Sequence, residues 1–129
     1  MRENVLRNPA RVTEADYIAR IRVGEGAWVC EQDGQVIGFT IVELQRENVW
    51  ALFVDPDHQG RGIGRMLHDM MLAWTFENGA RRLQLYTEAG TRAEWFYTRA
   101  GWSLVAVTAD SDLEFEMTRS QWRQLRHQG

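Results

Sequence analysis

Cysteine and metal-binding patterns are scarce in this chain of 129 residues. A single cysteine, Cys30, excludes an intramolecular disulfide framework, and three scattered histidines (His58, His68 and His127) have no metal-ligand spacing. No apolar run approaches the roughly 20 residues that span a bilayer, and the N-terminus lacks the apolar core of a signal peptide. We therefore expect a cytoplasmic protein with no metal and no membrane contact.

A concentrated basic face is also lacking. The formal net charge is −3, and the arginines are spread along the chain, so we expect no nucleic-acid partner. The length fits one domain over residues 1–129. The composition, 44% hydrophobic and 26% charged, is typical of a globular protein, and most of the six tryptophans are expected in its core.

The hydrophobic pattern predicts alternating strands and helices. Helices are predicted at 1–22, from Ile63 to near Asn78, at 91–100, and in a short tail that Ser120 caps. Strands are predicted at 27–31, 36–44, 49–54, 82–86, 102–108 and 113–118. The strand at 49–54 is apolar throughout, and we expect it to be buried on both faces. This order favours an α/β fold with a mixed sheet and helices packed on it.

A glycine-rich loop links the strand at 49–54 to the next helix. Gly60, Gly62 and Gly64 allow the backbone to approach an anion closely, and a helix start offers unpaired N–H groups. The alternative is a turn that only connects strand and helix. The loop lacks the Gly-Lys-Ser/Thr of a P-loop, and Arg65 stands where a dinucleotide fingerprint needs glycine.

With these two phosphate-binding motifs excluded, the loop still matches the pattern Gln-x-x-Gly-x-Gly, with Gln59, Gly62 and Gly64 at its fixed positions. With the strand before it and the helix after it, this segment resembles the central motif of the GNAT superfamily, the Gcn5-related N-acetyltransferases. The resemblance covers roughly residues 27–118. It implies a mostly antiparallel sheet with splayed strands, and acetyl-CoA as cosubstrate. It further implies that the pantetheine arm pairs with the strand and the loop amides hold the pyrophosphate, which assigns cofactor binding to Leu52, Phe53, Val54, Gln59, Gly60, Arg61, Gly62, Ile63, Gly64 and Arg65. For the two arginine side chains, a solvated first turn of helix is the alternative.

A second segment, 90–102, resembles the family motif Asn-x-x-Ala-x-x-Phe-Tyr-x-x-x-Gly-Phe. Ala93, Phe96, Tyr97 and Gly101 match it, and Trp102 replaces the usual aromatic residue. Gly90 occupies the asparagine position, so the role of that side chain is lost or passes to Thr91. By resemblance Tyr97 donates a proton to the departing CoA thiolate; the alternative is a core tyrosine.

The resemblance implies direct transfer of the acetyl group from acetyl-CoA to a primary amine of a small molecule or protein. Such a reaction needs no covalent nucleophile, and we interpret Cys30 as structural. Many family members place a glutamate where this chain has Asn48. Glu43, Glu47 and Glu88 are nearby in sequence, and each could instead be a surface carboxylate. Glu88, which follows the strand at 82–86, is our first choice of base, and deprotonation through water without a dedicated base is the alternative.

The family's fold usually begins with a strand and a helix before the segment matching residues 1–22. This chain starts in helix-like sequence, so we expect a short form without the first strand, or a truncated start. A missing strand exposes the edge of the strand at 27–31, and we therefore expect a homodimer. Besides an enzyme, the sequence admits a CoA-binding module with little catalysis, or a partner-binding domain whose glycine loop is only a turn.

Overall fold

The computed structural model describes residues 25–128. The helix predicted at 1–22 lies outside these residues. The segment to which the predicted absence of the first strand refers also lies outside them. The helices are α1 (Ile63–Glu77), α2 (Arg92–Arg99) and α3 (Arg119–Gln128). The strands are β1 (Glu25–Gln32), β2 (Gln35–Glu43), β3 (Asn48–Val54), β4 (Arg82–Glu88), β5 (Ser103–Val107) and β6 (Asp112–Thr118).

The strands form one six-stranded sheet in the order β1-β2-β3-β4-β6-β5. Every neighbouring pair is antiparallel except β3 and β4, which are parallel and joined through α1. The turn between β1 and β2 is made by Asp33 and Gly34, both with positive φ, as a two-residue hairpin requires. The predicted α/β fold with a mixed, mostly antiparallel sheet is confirmed.

The main core lies between the sheet and its helices. The apolar positions of α1 that recur at intervals of three and four residues, such as Leu72 and Phe76, belong to one buried cluster with Leu83 of β4 and Met117 of β6. Phe39, Ile41 and Phe53 form a separate buried cluster in β2 and β3. Each described helix is too short or too polar to span a membrane.

The prediction that the third strand is buried on both faces is wrong. Trp50 is 38% exposed, and Leu52 and Val54 are only half-buried. The register explains the exposure of Trp50: Val42 pairs with Val49 and Ile41 with Ala51, which leaves Trp50 as the extra residue of a β-bulge. Leu52 and Val54 border a cleft, described below.

The cap of the C-terminal helix also differs from the prediction. Thr118, not Ser120, caps α3, because its hydroxyl accepts a hydrogen bond from the Gln121 amide at 3.1 Å. The Gln121 side chain returns the interaction by accepting from the Thr118 amide at 2.9 Å. This reciprocal pair is a capping box, which satisfies two backbone donors at once and places Ser120 inside the helix.

Candidate active site

The site begins where β3 and β4 separate. A single ladder pair, Asn48 with Gln84, joins these strands within residues 25–128. Glu47 reinforces this closed end, since its carbonyl accepts from the Gln84 amide at 2.9 Å and its carboxylate from the Arg81 amide at 3.0 Å. Beyond this pair the two strands diverge. The second half of β3 therefore presents a backbone edge to the gap rather than to a strand.

The loop after β3 is ordered by its own polar groups. Asp55 caps a single 3-10 turn, Pro56–His58, and its carboxylate lies 3.0 Å from Nδ1 of His58. The Gln59 amide group donates to the Val54 carbonyl at 3.3 Å. These contacts bring the chain back over the end of β3, so that the glycines which follow lie at the mouth of the gap.

The glycines supply the backbone geometry of the helix start. Gly60 and Gly62 have φ of 82° and 84°, the left-handed region that glycine tolerates best. Gly62 is the N-cap of α1, and no side chain among residues 25–128 caps its amides. The first amides of a helix have no partner within it and carry partial positive charge. The start of α1 is therefore suited to bind an anion.

The gap, the loop and two helices enclose a cleft of about 550 Å³. Ten of the predicted cofactor-binding residues line it: Leu52, Phe53, Val54, Gln59, Gly60, Gly62, Ile63, Gly64, Arg65 and Thr91. Tyr97 lines it as well. Arg61 and Glu88 are not among the lining residues, and both are exposed.

Thr91 and its neighbours hold the start of α2 beside the cleft. The Thr91 hydroxyl accepts from the Glu94 amide at 3.3 Å and donates to the Glu88 carbonyl at 2.7 Å. The Glu94 carboxylate in turn accepts from the Gly90 amide at 2.6 Å. Gly90 has φ of 77°, which explains glycine at the position where the family motif has asparagine. The end of β4 is thereby tied to the first turn of α2.

Tyr97 lies in α2 at the inner wall of the cleft and is only 6% exposed. Its ring packs edge-on against Phe96 and Trp102, with centroid distances of 5.3 and 5.4 Å. Burial raises the pKa of the Tyr97 hydroxyl, so the group stays protonated across the physiological range. Within residues 25–128 no group hydrogen-bonds this hydroxyl. Tyr97 is thus a buried proton donor without a protein partner in the described part of the chain.

A charged pair lies on the exposed side of α1. Arg65 Nε is 3.2 Å from one carboxylate oxygen of Asp69 and 3.3 Å from the other. Partial burial raises the pKa of Asp69, but the hydrogen bond from His68 and the Arg65 guanidinium outweigh it, so the net pKa is lowered. Asp69 therefore stays ionised and orients Arg65 at the mouth of the cleft.

Sequence reasoning did not assign some of the lining residues to the cofactor: Pro56, His58, Arg92, Ala93 and Phe96. Ala93 and Phe96 belong to the second motif, and the helical spacing of Ala93, Phe96 and Tyr97 was the signal available to find them. Pro56 and His58 lie between the strand and the glycines, and only their position in that loop indicates a role. No group of three or more potential ligands among residues 25–128 is arranged to hold a metal ion.

The described residues thus combine a sheet parted between β3 and β4 with a helix start and a buried tyrosine at the opening. The acetyltransferase (GNAT) family matches residues 3–102 of the chain. The chain belongs to this family.

The mycothiol acetyltransferases to which this chain is similar are much longer than this chain. It is 35% identical over 84 residues to mycothiol acetyltransferase from Propionibacterium freudenreichii, covering 60% of this chain and 27% of that protein. It is 36% identical over 117 residues to mycothiol acetyltransferase from Cellulomonas flavigena, covering 75% of this chain and 33% of the relative. The chain thus spans about a third or less of the length of these relatives.

Solved structures agree on the fold. The PaiA N-acetyltransferase of Thermoplasma acidophilum, determined in complex with coenzyme A, superposes with a TM-score of 0.70. That superposition covers 80% of this chain and 67% of the other, at 19% sequence identity. At this identity the likeness shows the acyl-CoA N-acyltransferase fold.

Proposed function

We propose that this chain is an acetyl-CoA-dependent N-acetyltransferase that acts on a primary amine by direct attack. The observation that carries the proposal is the cleft. It joins, in one space, a strand edge able to pair with an extended amide chain, a helix start suited to phosphate, and a buried tyrosine hydroxyl. If the loop were only a turn between strand and helix, there would be no reason for the strand edge, the helix start and the tyrosine hydroxyl to line the same cleft.

In this proposal the pantetheine arm lies in the gap and pairs with the backbone of Leu52, Phe53 and Val54. The pyrophosphate lies over the amides from Gln59 to Arg65. Arg65, which lines the cleft, adds a charge-assisted bond to a phosphate oxygen. Arg61 is exposed beside the loop, and its contribution to phosphate is limited to longer-range attraction.

The chemistry follows from these positions. The neutral amine attacks the thioester carbonyl carbon, a C–N bond forms, and the C–S bond then breaks. The thiolate leaves with the proton that Tyr97 donates, and Tyr97 regains a proton from water. The amine must lose one proton before attack and one after it. Glu88 is the exposed last residue of β4 and does not line the cleft, so in this proposal it takes these protons through water.

The acceptor is an amine of a small molecule or a protein. The relatives named mycothiol acetyltransferase make amines related to mycothiol worth including among the acceptors tested. Because the chain spans only part of those proteins, their substrate is a starting point for a screen.

The test measures release of free CoA thiol from acetyl-CoA against a panel of primary amines and amine-terminated peptides. We expect acetyl-CoA to raise the melting temperature and at least one amine to accelerate thiol release above the hydrolytic background. Stabilisation with no amine-dependent release would favour the CoA-binding module instead. The absence of both would contradict the proposal and favour a partner-binding domain.

A further inference from the structure

His68 is a buried histidine that the proposed reaction does not use. It lies in α1, is 2% exposed, and does not line the cleft. Both of its ring nitrogens have partners: Nδ1 lies 2.8 Å from an Asp69 carboxylate oxygen, and Nε2 lies 2.9 Å from the indole nitrogen of Trp102. An indole N–H can only donate, so Nε2 accepts and the imidazole proton is on Nδ1, where it donates to Asp69. The ring is therefore fixed in one tautomer and one orientation.

The partner of His68 is itself tied to Tyr97. The backbone amide of Trp102 donates to the Tyr97 carbonyl at 3.1 Å, and the two rings pack edge-on with centroids 5.4 Å apart. Trp102 is thus held at its backbone by the end of α2 and at its indole by α1. A phenylalanine, the usual residue at this place in the family motif, has no N–H to donate to His68. The bond between α1 and the end of α2 depends on this pair of residues.

The same histidine also contacts the wall of the cleft from behind. Its ring lies edge-on to Phe96 at 5.4 Å and tilted to Tyr97 at 6.4 Å, and both of those residues line the cleft. The helix that begins at the proposed phosphate site is therefore connected, through one buried side chain, to the helix that carries the proposed acid. A small shift between these helices changes the distance from the Tyr97 hydroxyl to the sulfur of the cofactor.

We propose that His68 is a positioning residue that acts through its hydrogen bond to Trp102 to hold the Tyr97 hydroxyl at the sulfur of CoA; this rests on the proposed function. One neutral hydrogen bond contributes only about 1 kcal/mol to net stability. The effect of this bond on the reaction rate is larger than its effect on stability suggests, because displacement of a catalytic group by about 1 Å lowers the rate by up to about 100-fold. We expect a loss of about 10-fold in kcat when the bond is removed, since Tyr97 keeps its other ring contacts.

The experiment compares His68→Leu, Trp102→Phe and His68→Gln, whose amide oxygen can still accept from Trp102. We expect the first two to lower kcat about 10-fold with the KM for acetyl-CoA nearly unchanged, and the third to recover part of the loss. Thr75→Val is the matched control. Thr75 is fully buried about two turns further along α1 and donates to the Met71 carbonyl at 2.7 Å. Its loss lowers the melting temperature but leaves kcat as it was.

A purely structural role is separated by repeating the substitutions in a Tyr97→Phe background. If His68 acts through the tyrosine hydroxyl, His68→Leu and Trp102→Phe cause no further loss of kcat there. An equal loss in both backgrounds, or no loss in the parent, overturns the inference. Should His68→Leu fail to fold, Trp102→Phe supplies the same comparison.

A second readout does not need activity and so separates this inference from the proposed function. The six tryptophans have six indole N–H resonances, and Trp102→Phe identifies the one that belongs to Trp102. We expect this proton to exchange slowly with solvent in the parent and faster in His68→Leu. An unchanged exchange rate overturns the inference even if no amine substrate has been found. If the parent protein shows no turnover with any amine, that result contradicts only the proposed function.

Discussion

The surroundings of Tyr97 suit this residue to the role of acid that we propose for it. Aromatic neighbours remove water from its ring and raise the pKa of its hydroxyl, which favours the protonated form. At the same time the residue lines the cleft, and among residues 25–128 the hydroxyl has no hydrogen-bond acceptor. A thiolate that forms in the cleft would be the first strong acceptor within its reach.

Replacing Tyr97 with phenylalanine keeps the ring and removes only this hydroxyl. We expect kcat to fall by about 100-fold, the low end of typical general-acid contributions, while the Kd for acetyl-CoA stays nearly the same. Steady-state kinetics and calorimetry measure the two effects. Full turnover of Tyr97→Phe, under conditions where chemistry limits the rate, would make Tyr97 a packing residue whose proton comes from water.

Gly62 tests the glycine loop, and Gly34 offers a matched control. Both have positive φ, 84° and 80°, and at both an added Cβ has no atom of the described residues within 4 Å. Alanine at either site costs about 1–2 kcal/mol of stability through the same backbone strain. We expect only Gly62→Ala to weaken acetyl-CoA binding, because only its Cβ enters the space of the phosphates.

Calorimetry on the two folded variants compares them directly. Equal affinity of Gly62→Ala and Gly34→Ala for acetyl-CoA would contradict the assignment of the loop to pyrophosphate.

At the scale of elements, the bulge in β3 is supported by a buried hydroxyl. Thr40 in β2 is fully buried and donates to the carbonyl of Ala51 at 2.9 Å, next to the bulge residue Trp50. The register places Thr40 opposite Leu52, the first residue of β3 that lines the cleft. The hydroxyl thus supports the shape of the strand where it borders the cleft.

Thr40→Val keeps the shape of the side chain and removes this donor. We expect a loss of about 1 kcal/mol, which lowers the melting temperature by roughly 3–5 °C. We also expect the KM for acetyl-CoA to rise roughly threefold, which corresponds to about 0.7 kcal/mol. Thr40→Ser restores the donor and should return KM toward the parent value. A lower melting temperature with unchanged KM would limit Thr40 to a structural role.

The elements that sequence reasoning predicts well are those with a strong local pattern. The strand, loop and helix around Gly62 combine an apolar run, a glycine cluster and helical spacing, and each signal supports the others. The cap of α3 was assigned wrongly because Thr118 and Ser120 are both good caps, and only the reciprocal bond from Gln121 decides between them.

Contacts distant in sequence were not predictable in this way. His68 and Trp102 are 34 residues apart, and nothing in the local pattern of either residue indicates the other. The exposure of Trp50 depends on a register shift between β2 and β3, which hydrophobicity alone does not reveal. Pairing between elements is set by tertiary packing, and the local pattern of a single sequence does not indicate which residues pair.

At the scale of the whole molecule, β1 is the end strand of the described sheet. Within residues 25–128 it has a strand neighbour only on the β2 side. Trp28 is partly buried and packs against Trp74 with ring centroids 5.5 Å apart. Val29 is 38% exposed.

We expect a homodimer that forms through the outer edge of β1, which no strand of residues 25–128 covers, because an unpaired strand edge recruits another strand. Light scattering after gel filtration, at micromolar concentration, should give twice the chain mass. Val29→Glu introduces charge on this strand and should yield a monomer. Val107→Glu, on the strand at the opposite end of the sheet and 62% exposed, is the control and should remain dimeric. A monomeric parent that still binds acetyl-CoA would contradict the prediction.

The single ladder pair between β3 and β4 affects how the stability of the protein depends on its bound ligand. In the proposed function pantetheine lies in the gap and occupies the position of a strand, so each departure of CoA leaves the sheet one member short. Any ligand that binds only the folded state raises its stability in proportion to the logarithm of its concentration. On this proposal we expect resistance to heat and proteolysis to rise with the supply of acetyl-CoA, so that the metabolic state which provides the cosubstrate also preserves the protein.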